Sequence, residues 1–381
     1  PTVTAGPFET MKKATLNVIK ALKTGKIKNN VPGVHLEGPY LSKEQCGAQC
    51  PTFITAPNEK DYVPFIKEYG AFVKKWTYAP ENDKDQKFVK FLSENNIIPS
   101  IGHSNAIYDD VKLAVDNGAN MVTHLYSCTS SIARDHGFRR LGVTECAYLF
   151  DDLKCEIIAD GRHLPIELLK LIFKNKGFEN LVMVTDSLEI AGTDVKEGLM
   201  SGTAFIVEDG VCKLKDRSAF AGSVATDEIL VKTALEAGAS MANAVRMITY
   251  NPAKLLGLKK GLIEKGYGPD FVVLDETIKV CDVFVTLLCE KRGFFEQCDF
   301  FFHIRDCDAK LKREFFNSRR VVACFEQNVF GDLSSDRRPR ESARLPSACK
   351  KNDILRVVAS FSECSCHSHT FFQYVTGAEQ F

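Results

Sequence analysis

The sequence predicts an α/β fold carried by a parallel sheet. Two observations predict it. Short apolar runs alternate with helix-like stretches up to about residue 275. The chain also places histidines and carboxylates just where several of those runs end.

Taken in order, residues 32–36 (PGVHL) read as a strand, and 70–79 (GAFVKKWTYA) hold a short strand before an acidic turn. Residues 85–95 read as a helix and 97–101 as the next strand. A helix over 107–117 precedes a strand over 121–124. Residues 153–159 (LKCEIIA) are a strand, 166–173 a helix and 181–185 (LVMVT) a strand. Two apolar runs flank Asp209-Gly210 within 202–214, which signals a hairpin. Helices follow over 226–237 and 241–248, then a turn and a strand within 261–274. From about residue 289 the alternation fails, and the tail is rich in Phe, Arg, Ser and Cys.

Glu37, His103, His124, Asp160 with His163, and Asp186 all sit at or just past the end of a strand. In a (β/α)8 TIM barrel those positions converge on one catalytic face. Glu37, His103 and His124 come from three different strands and form a plausible set of three ligands for a divalent metal. Such an ion acidifies a water to a pKa of about 7 and polarises a carbonyl. Asp186, one strand further on, suits the acid/base that moves a proton from water to a leaving amine. The combination fits hydrolysis of an amide or ester.

Taken singly, each residue also suits a plainer role. A histidine at a strand end can be a hydrogen-bonded structural residue, Glu37 can cap the following turn, and Asp186-Ser187 can be an N-cap. His35 points away from Leu36 and reads as structural. Arg134, in the stretch SIARDHG (131–137), is either a solvated arginine or a partner for an anionic substrate group. Cys364, Cys366, His367 and His369 (CSCHSH) lack a second half at zinc-finger spacing, so composition is the preferred explanation.

The composition narrows the function classes. Of 381 residues, 45% are apolar and 26% charged, a globular profile. Lys plus Arg equals Asp plus Glu at 49 each, which favours neither nucleic acid nor an anionic membrane. No apolar run approaches the roughly 18 residues that span a bilayer. Six of the 14 cysteines lie before residue 281 without a pairing pattern, and read as reduced thiols of a cytoplasmic protein. The chain begins with proline, which reads as a processed chain or a fragment.

The motifs HLEGPYLS (35–42), GHSNA (102–106), THLYS (123–127), IADGRHL (158–164), VTDS (184–187), AGSVAT (221–226) and NPAKLLGL (251–258) occur in order. Together they resemble the N-acetylglucosamine-6-phosphate deacetylases of the amidohydrolase superfamily. The stretch GPDFVVLDE (268–276) resembles the family's closing strand, so the resemblance covers about residues 1–287. It implies a metal-dependent amidohydrolase barrel over 1–260, closing strands of a small β domain over 261–287, and an unassigned tail over 288–381. It also implies that the first barrel strand is absent, PTVTA (1–5) resembling the second.

The resemblance further implies removal of the acetyl group from N-acetylglucosamine 6-phosphate, a hydrolase reaction on a linear amide. By motif match, Glu37, His103 and His124 would hold one divalent metal ion such as zinc or iron, and Asp186 would be the acid/base. His163 would assist the scissile carbonyl, and Arg134 would hold the phosphate. Ala48, Gln49, Ser127, Cys128, Phe220, Ala221 and Gly222 match substrate-contacting positions. The family is commonly oligomeric, so a homo-oligomer is an expectation. Two alternatives stand beside this reading: a related amidohydrolase with another amide substrate, and a barrel that binds sugar phosphate without turnover.

Overall fold

Seven short strands pair into one parallel sheet in the computed structural model, which describes residues 1–25, 27, 31–200, 202–268, 270–284 and 357–358. In chain order the elements are β1 (Thr2–Val3), α1 (Phe8–Lys23), β2 (Val34–Glu37), α2 (Glu59–Tyr69), β3 (Val73–Tyr78), α3 (Lys87–Glu94), β4 (Ile98–Ile101), α4 (Tyr108–Asp116) and β5 (Met121–Val122). A short hairpin, β6 (Ala133–Asp135) and β7 (Phe138–Arg140), interrupts the alternation. Then come α5 (Val143–Leu149), β8 (Lys154–Ile157), α6 (Ile166–Lys176) and β9 (Leu181–Met183). The sheet runs β1-β2-β3-β4-β5-β8-β9, every pair parallel.

This is a partial TIM barrel, as the sequence predicts. Lys75 on β3 forms an ion pair with Glu156 on β8, although β4 and β5 lie between those strands. Two side chains can meet across two intervening strands only if the sheet curls and both point inward. His35, on the inner face, sits in a similar network. Its Nδ1 lies 3.1 Å from the Thr2 hydroxyl and its Nε2 2.7 Å from the Thr77 hydroxyl. Thr77 continues to Thr123 at 2.7 Å, and Thr123 to Ser100 at 2.6 Å. The inner wall is therefore hydrogen-bonded as well as packed, which satisfies groups that burial would otherwise leave unpaired.

Outside the sheet, helices bury apolar faces. Tyr40, Tyr62, Phe65, Trp76 and Phe88 form an aromatic cluster between β2, β3 and helices α2 and α3. Trp76 is fully buried, and its indole N–H donates to the Gly38 carbonyl at 2.8 Å. That bond ties the core to the turn after Glu37. Rings of this size dominate burial energetics, which makes the turn a rigid platform.

The hairpin expected around Asp209-Gly210 forms the centre of a larger unit. Strands β10 (Glu197–Met200), β11 (Thr203–Glu208), β12 (Val211–Leu214) and β13 (Phe220–Ser223) make a four-stranded antiparallel sheet. Helices α7 (Asp227–Glu236), α8 (Met241–Ile248) and α9 (Tyr250–Leu255) follow. The described residues after Leu258 belong to a second unit, within which β14 (Phe271–Leu274) pairs with β15 (Val280–Phe284) and β16 (Val357–Val358). The CSCHSH cluster and most of the expected tail lie outside the described residues. Among the described residues, no helix is long and apolar enough to cross a membrane.

Candidate active site

The strand ends deliver their polar residues as predicted. Glu37 is the last residue of β2, His103 lies two residues beyond β4, and His124 two beyond β5. The expected strand over 121–124 stops at Val122, because the chain enters the left-handed region at His124, where φ is 30°. His103 and Asp186 do the same, with φ of 47° and 46°. Left-handed backbone is uncommon for residues other than glycine and collects at functional sites.

Three side chains meet at one oxygen. His103 Nε2 lies 2.6 Å and His124 Nε2 3.3 Å from Glu37 Oε1. All three residues are buried, and one ligand atom from each lies within 4.8 Å of the others. The opposite ring nitrogens are spoken for. His103 Nδ1 donates to the Gln45 carbonyl at 2.9 Å, and His124 Nδ1 donates to the Ser127 carbonyl at 3.1 Å. A carbonyl only accepts, so each Nδ1 carries its hydrogen and each Nε2 is left for the centre. Two imidazole nitrogens, each oriented from behind, and one carboxylate oxygen fit a divalent cation.

The three side chains also stabilise one another's charged forms. Burial pushes the Glu37 carboxyl up, but hydrogen bonds from His103 and His124 outweigh it and hold it well below the usual carboxylate range. Burial pushes His103 down, yet its contacts with Cys128 and Glu37 hold it well above the usual histidine range. His124 is raised as well, burial being overcome by its bond to Glu37.

Asp186 lies three residues past β9. Its carboxyl is pushed up, first by burial and then by the negative charge of Glu37, against the pull of His124 and His163. Its carbonyl accepts from the Ser223 N–H at 2.9 Å, which docks β13 beside it. Gly222 has φ of 104°, and a Cβ there would stand 3.1 Å from the Asp186 carbonyl. Only glycine meets both demands.

His163 and Asp160 form a buried pair, with Nδ1 to Oδ2 at 2.7 Å. The Phe220 ring meets the His163 ring at 4.8 Å between centroids. Ala221 is buried in the apolar cluster of the four-stranded sheet, against which Ala48 packs. Gln49 turns inward: its amide donates to Glu37 at 3.3 Å and accepts from the Ala5 N–H at 3.0 Å. Cys128 has φ of 50° and stands so close to Gly47 that a Cβ there would lie 2.5 Å from its sulfur. The loop holding Ala48 and Gln49 thus rests on the loop holding Ser127 and Cys128.

Arg134 is placed differently. It lies on the exposed β6–β7 hairpin, paired in register with Arg139, and takes no part in the hydrogen bonds around Glu37. Sequence reasoning assigned no role to the Gln45 and Ser127 carbonyls. A backbone acceptor leaves no signal in side-chain identity. The Asp160–His163 contact had a signal, the spacing of three residues in DGRH.

Residues 3–310 match the sequence profile of the amidohydrolase family. The chain belongs to the amidohydrolase family. The N-acetylglucosamine-6-phosphate deacetylase of Lysinibacillus sphaericus is 32% identical over 248 residues, covering 65% of this chain and 63% of that protein. The N-acetylgalactosamine-6-phosphate deacetylase of a Shewanella species is 31% identical over 291 residues, 75% of this chain and 71% of that one. The crystal structure of N-acetylglucosamine-6-phosphate deacetylase from Pasteurella multocida superposes with a TM-score of 0.69 at 32% identity, covering 75% of this chain and 73% of its own. The chain therefore spans less than two thirds of the length of the Lysinibacillus relative.

Proposed function

We propose that this amidohydrolase removes the acetyl group from an amino-sugar 6-phosphate, N-acetylglucosamine 6-phosphate before others, releasing acetate and the free amine. The observation that carries the proposal is the meeting of His103 and His124 on one oxygen of Glu37, with Asp186 close enough to feel that charge. Glu37, His103 and His124 would hold one divalent metal ion, zinc, iron or similar. When bound, such an ion makes water more acidic and draws electrons from a carbonyl.

The chain's own residues then have defined tasks. As the oxygen of water bonds to the acetyl carbon, Asp186 takes the water's proton. As the carbon–nitrogen bond breaks, Asp186 returns that proton to the amine. A carboxyl raised by burial is suited to giving the proton back. His163 faces the scissile carbonyl. Ala48, Gln49, Ser127, Cys128, Phe220, Ala221 and Gly222 line the substrate, and Arg134 pairs with the phosphate. Residues 1–260 are the catalytic barrel and 261–287 the closing strands of a small β domain. The described cysteines are free thiols, which supports a reducing, cytoplasmic setting. A homo-oligomer belongs to the same reading.

The Shewanella relative favours a second reading, in which the sugar is the C4 epimer. The test is acetate release from both sugar phosphates by purified protein with zinc or iron added. Metal-dependent release from N-acetylglucosamine 6-phosphate supports the proposal. Preference for N-acetylgalactosamine 6-phosphate moves it to the second reading. No release from either by folded, metal-bound protein overturns both.

A further inference from the structure

The pair at the end of β8 does more than fill space. Asp160 Oδ1 accepts two backbone hydrogens, from Arg162 and His163, each at 2.8 Å. Its other oxygen, Oδ2, lies 2.7 Å from His163 Nδ1. The carboxylate is thereby fixed at both ends. The side chains are only 2% and 4% exposed, so water does not compete for the bond. Burial pushes the Asp160 carboxyl up, but His163 and the two backbone N–H groups hold it below the usual range, so it stays an acceptor at neutral pH.

An ionised carboxylate has no hydrogen to give, so His163 Nδ1 must carry one. Nε2 is the atom left over, since the ring's side-chain bond to Asp160 uses Nδ1. The Phe220 ring packs against the imidazole at 66° between planes and opposes its rotation. Asp186 feels His163 together with Glu37 and His124, so the free nitrogen shares the mouth where the chemistry is proposed.

We propose that Asp160 is a positioning residue: it fixes the His163 ring so that Nε2 faces the acyl oxygen, and its charge balances the ring when Nε2 donates. This rests on the deacetylase reading for the identity of the acyl oxygen. With Nδ1 already protonated, Nε2 has a hydrogen to donate only when the ring is doubly protonated. Among the described residues, the charged groups shown to bear on the ring are Asp160 from its own loop and Asp186 from the end of β9.

Asp160→Asn gives a sharp contrast. The asparagine carbonyl can keep both backbone hydrogens, which turns its amide N–H toward Nδ1. The neutral ring then carries its hydrogen on Nε2. The first arm is nitrogen-resolved NMR of histidine-labelled, metal-free protein, with His163→Gln to assign the signals. The expected result is a hydrogen on Nδ1 in the wild type, shifted far downfield, and on Nε2 in Asp160→Asn. The second arm is the pH profile of deacetylation. We expect kcat to fall about ten- to a hundredfold in Asp160→Asn with KM little changed, and the high-pH loss of kcat to move upward or vanish.

A neutral wild-type ring with its hydrogen on Nε2 overturns the proposal. So does an Asp160→Asn profile that parallels the wild type, since a purely structural defect lowers every point alike. If the wild type deacetylates nothing, the functional reading fails while the NMR arm still decides whether Asp160 sets the ring.

Discussion

The strand-end face and the β6–β7 hairpin carry the same kinds of residue on opposite physical terms. At the face, Glu37, His103 and His124 are buried, and a backbone carbonyl holds each ring from behind, from a neighbouring loop for His103 and from its own loop for His124. On the hairpin, Arg134, Arg139 and Arg140 are exposed, Phe138 is 78% exposed and the His136 side chain 94%. Three residue pairs are all that join its strands. At the face the polar groups are held against one another, and on the hairpin they stand in water. Bond-breaking needs the first, because a small displacement of a reacting group costs rate. Pairing with an anionic group, the task proposed for Arg134, can be done by an exposed guanidinium.

The largest effect should come from the face. Asp186→Asn should lower kcat about a hundred- to ten-thousandfold with the thermal midpoint little changed, checked by acetate release and calorimetry. An unchanged kcat would break the comparison at its centre.

Next is the wall beneath. Lys75→Met leaves Glu156 buried without a counter-charge, which should cost about 3–5 kcal/mol in urea unfolding. Replacing both, by Met and Leu, should recover most of that loss. A single variant as stable as the wild type would mean that the pair does not hold the curl.

The hairpin should respond differently. Arg134→Ala should raise KM about tenfold or more and leave kcat within about twofold, as expected for one lost charge-assisted bond. Its stability should stay within about 0.5 kcal/mol. A matching fall in kcat would show that the hairpin does position the reacting bond.

The smallest effect is in acid. Asp160 has its carboxyl lowered in the folded state, so its stabilising contribution is complete above the unfolded value, about 4, and is lost as pH falls through the folded one. The stability gap between wild type and Asp160→Asn should narrow as pH drops from about 5 to below 3 in urea titrations. A gap that widened would reverse the sign assigned to Asp160.

The two regions were also unequally legible in the sequence. Glu37, His103, His124 and Asp186 each follow an apolar run, so a local pattern announced both the strand and the polar residue at its end. The hairpin strands, ARD and FRR, carry no apolar alternation, so nothing in the sequence marked them as strands. Strands β10 and β13 went unread for a related reason, since each is four residues long and glycine interrupts both. Helices α1 and α2 were passed over too, α2 with Pro64 inside it. The Lys75–Glu156 pair spans 81 residues of sequence, and nothing local to either residue points to the other. Curvature makes that contact, and curvature is a property of the whole sheet.

The central claim is that Glu37, His103 and His124 form one metal centre. Equilibrium dialysis of metal-free protein against zinc, read as bound metal per chain, tests it most directly. We predict about one tightly bound ion in the wild type, and its loss in Glu37→Ala, His103→Ala and His124→Ala variants whose circular dichroism is unchanged. Undiminished binding in all three variants, or no binding by well-folded wild type, would contradict the claim.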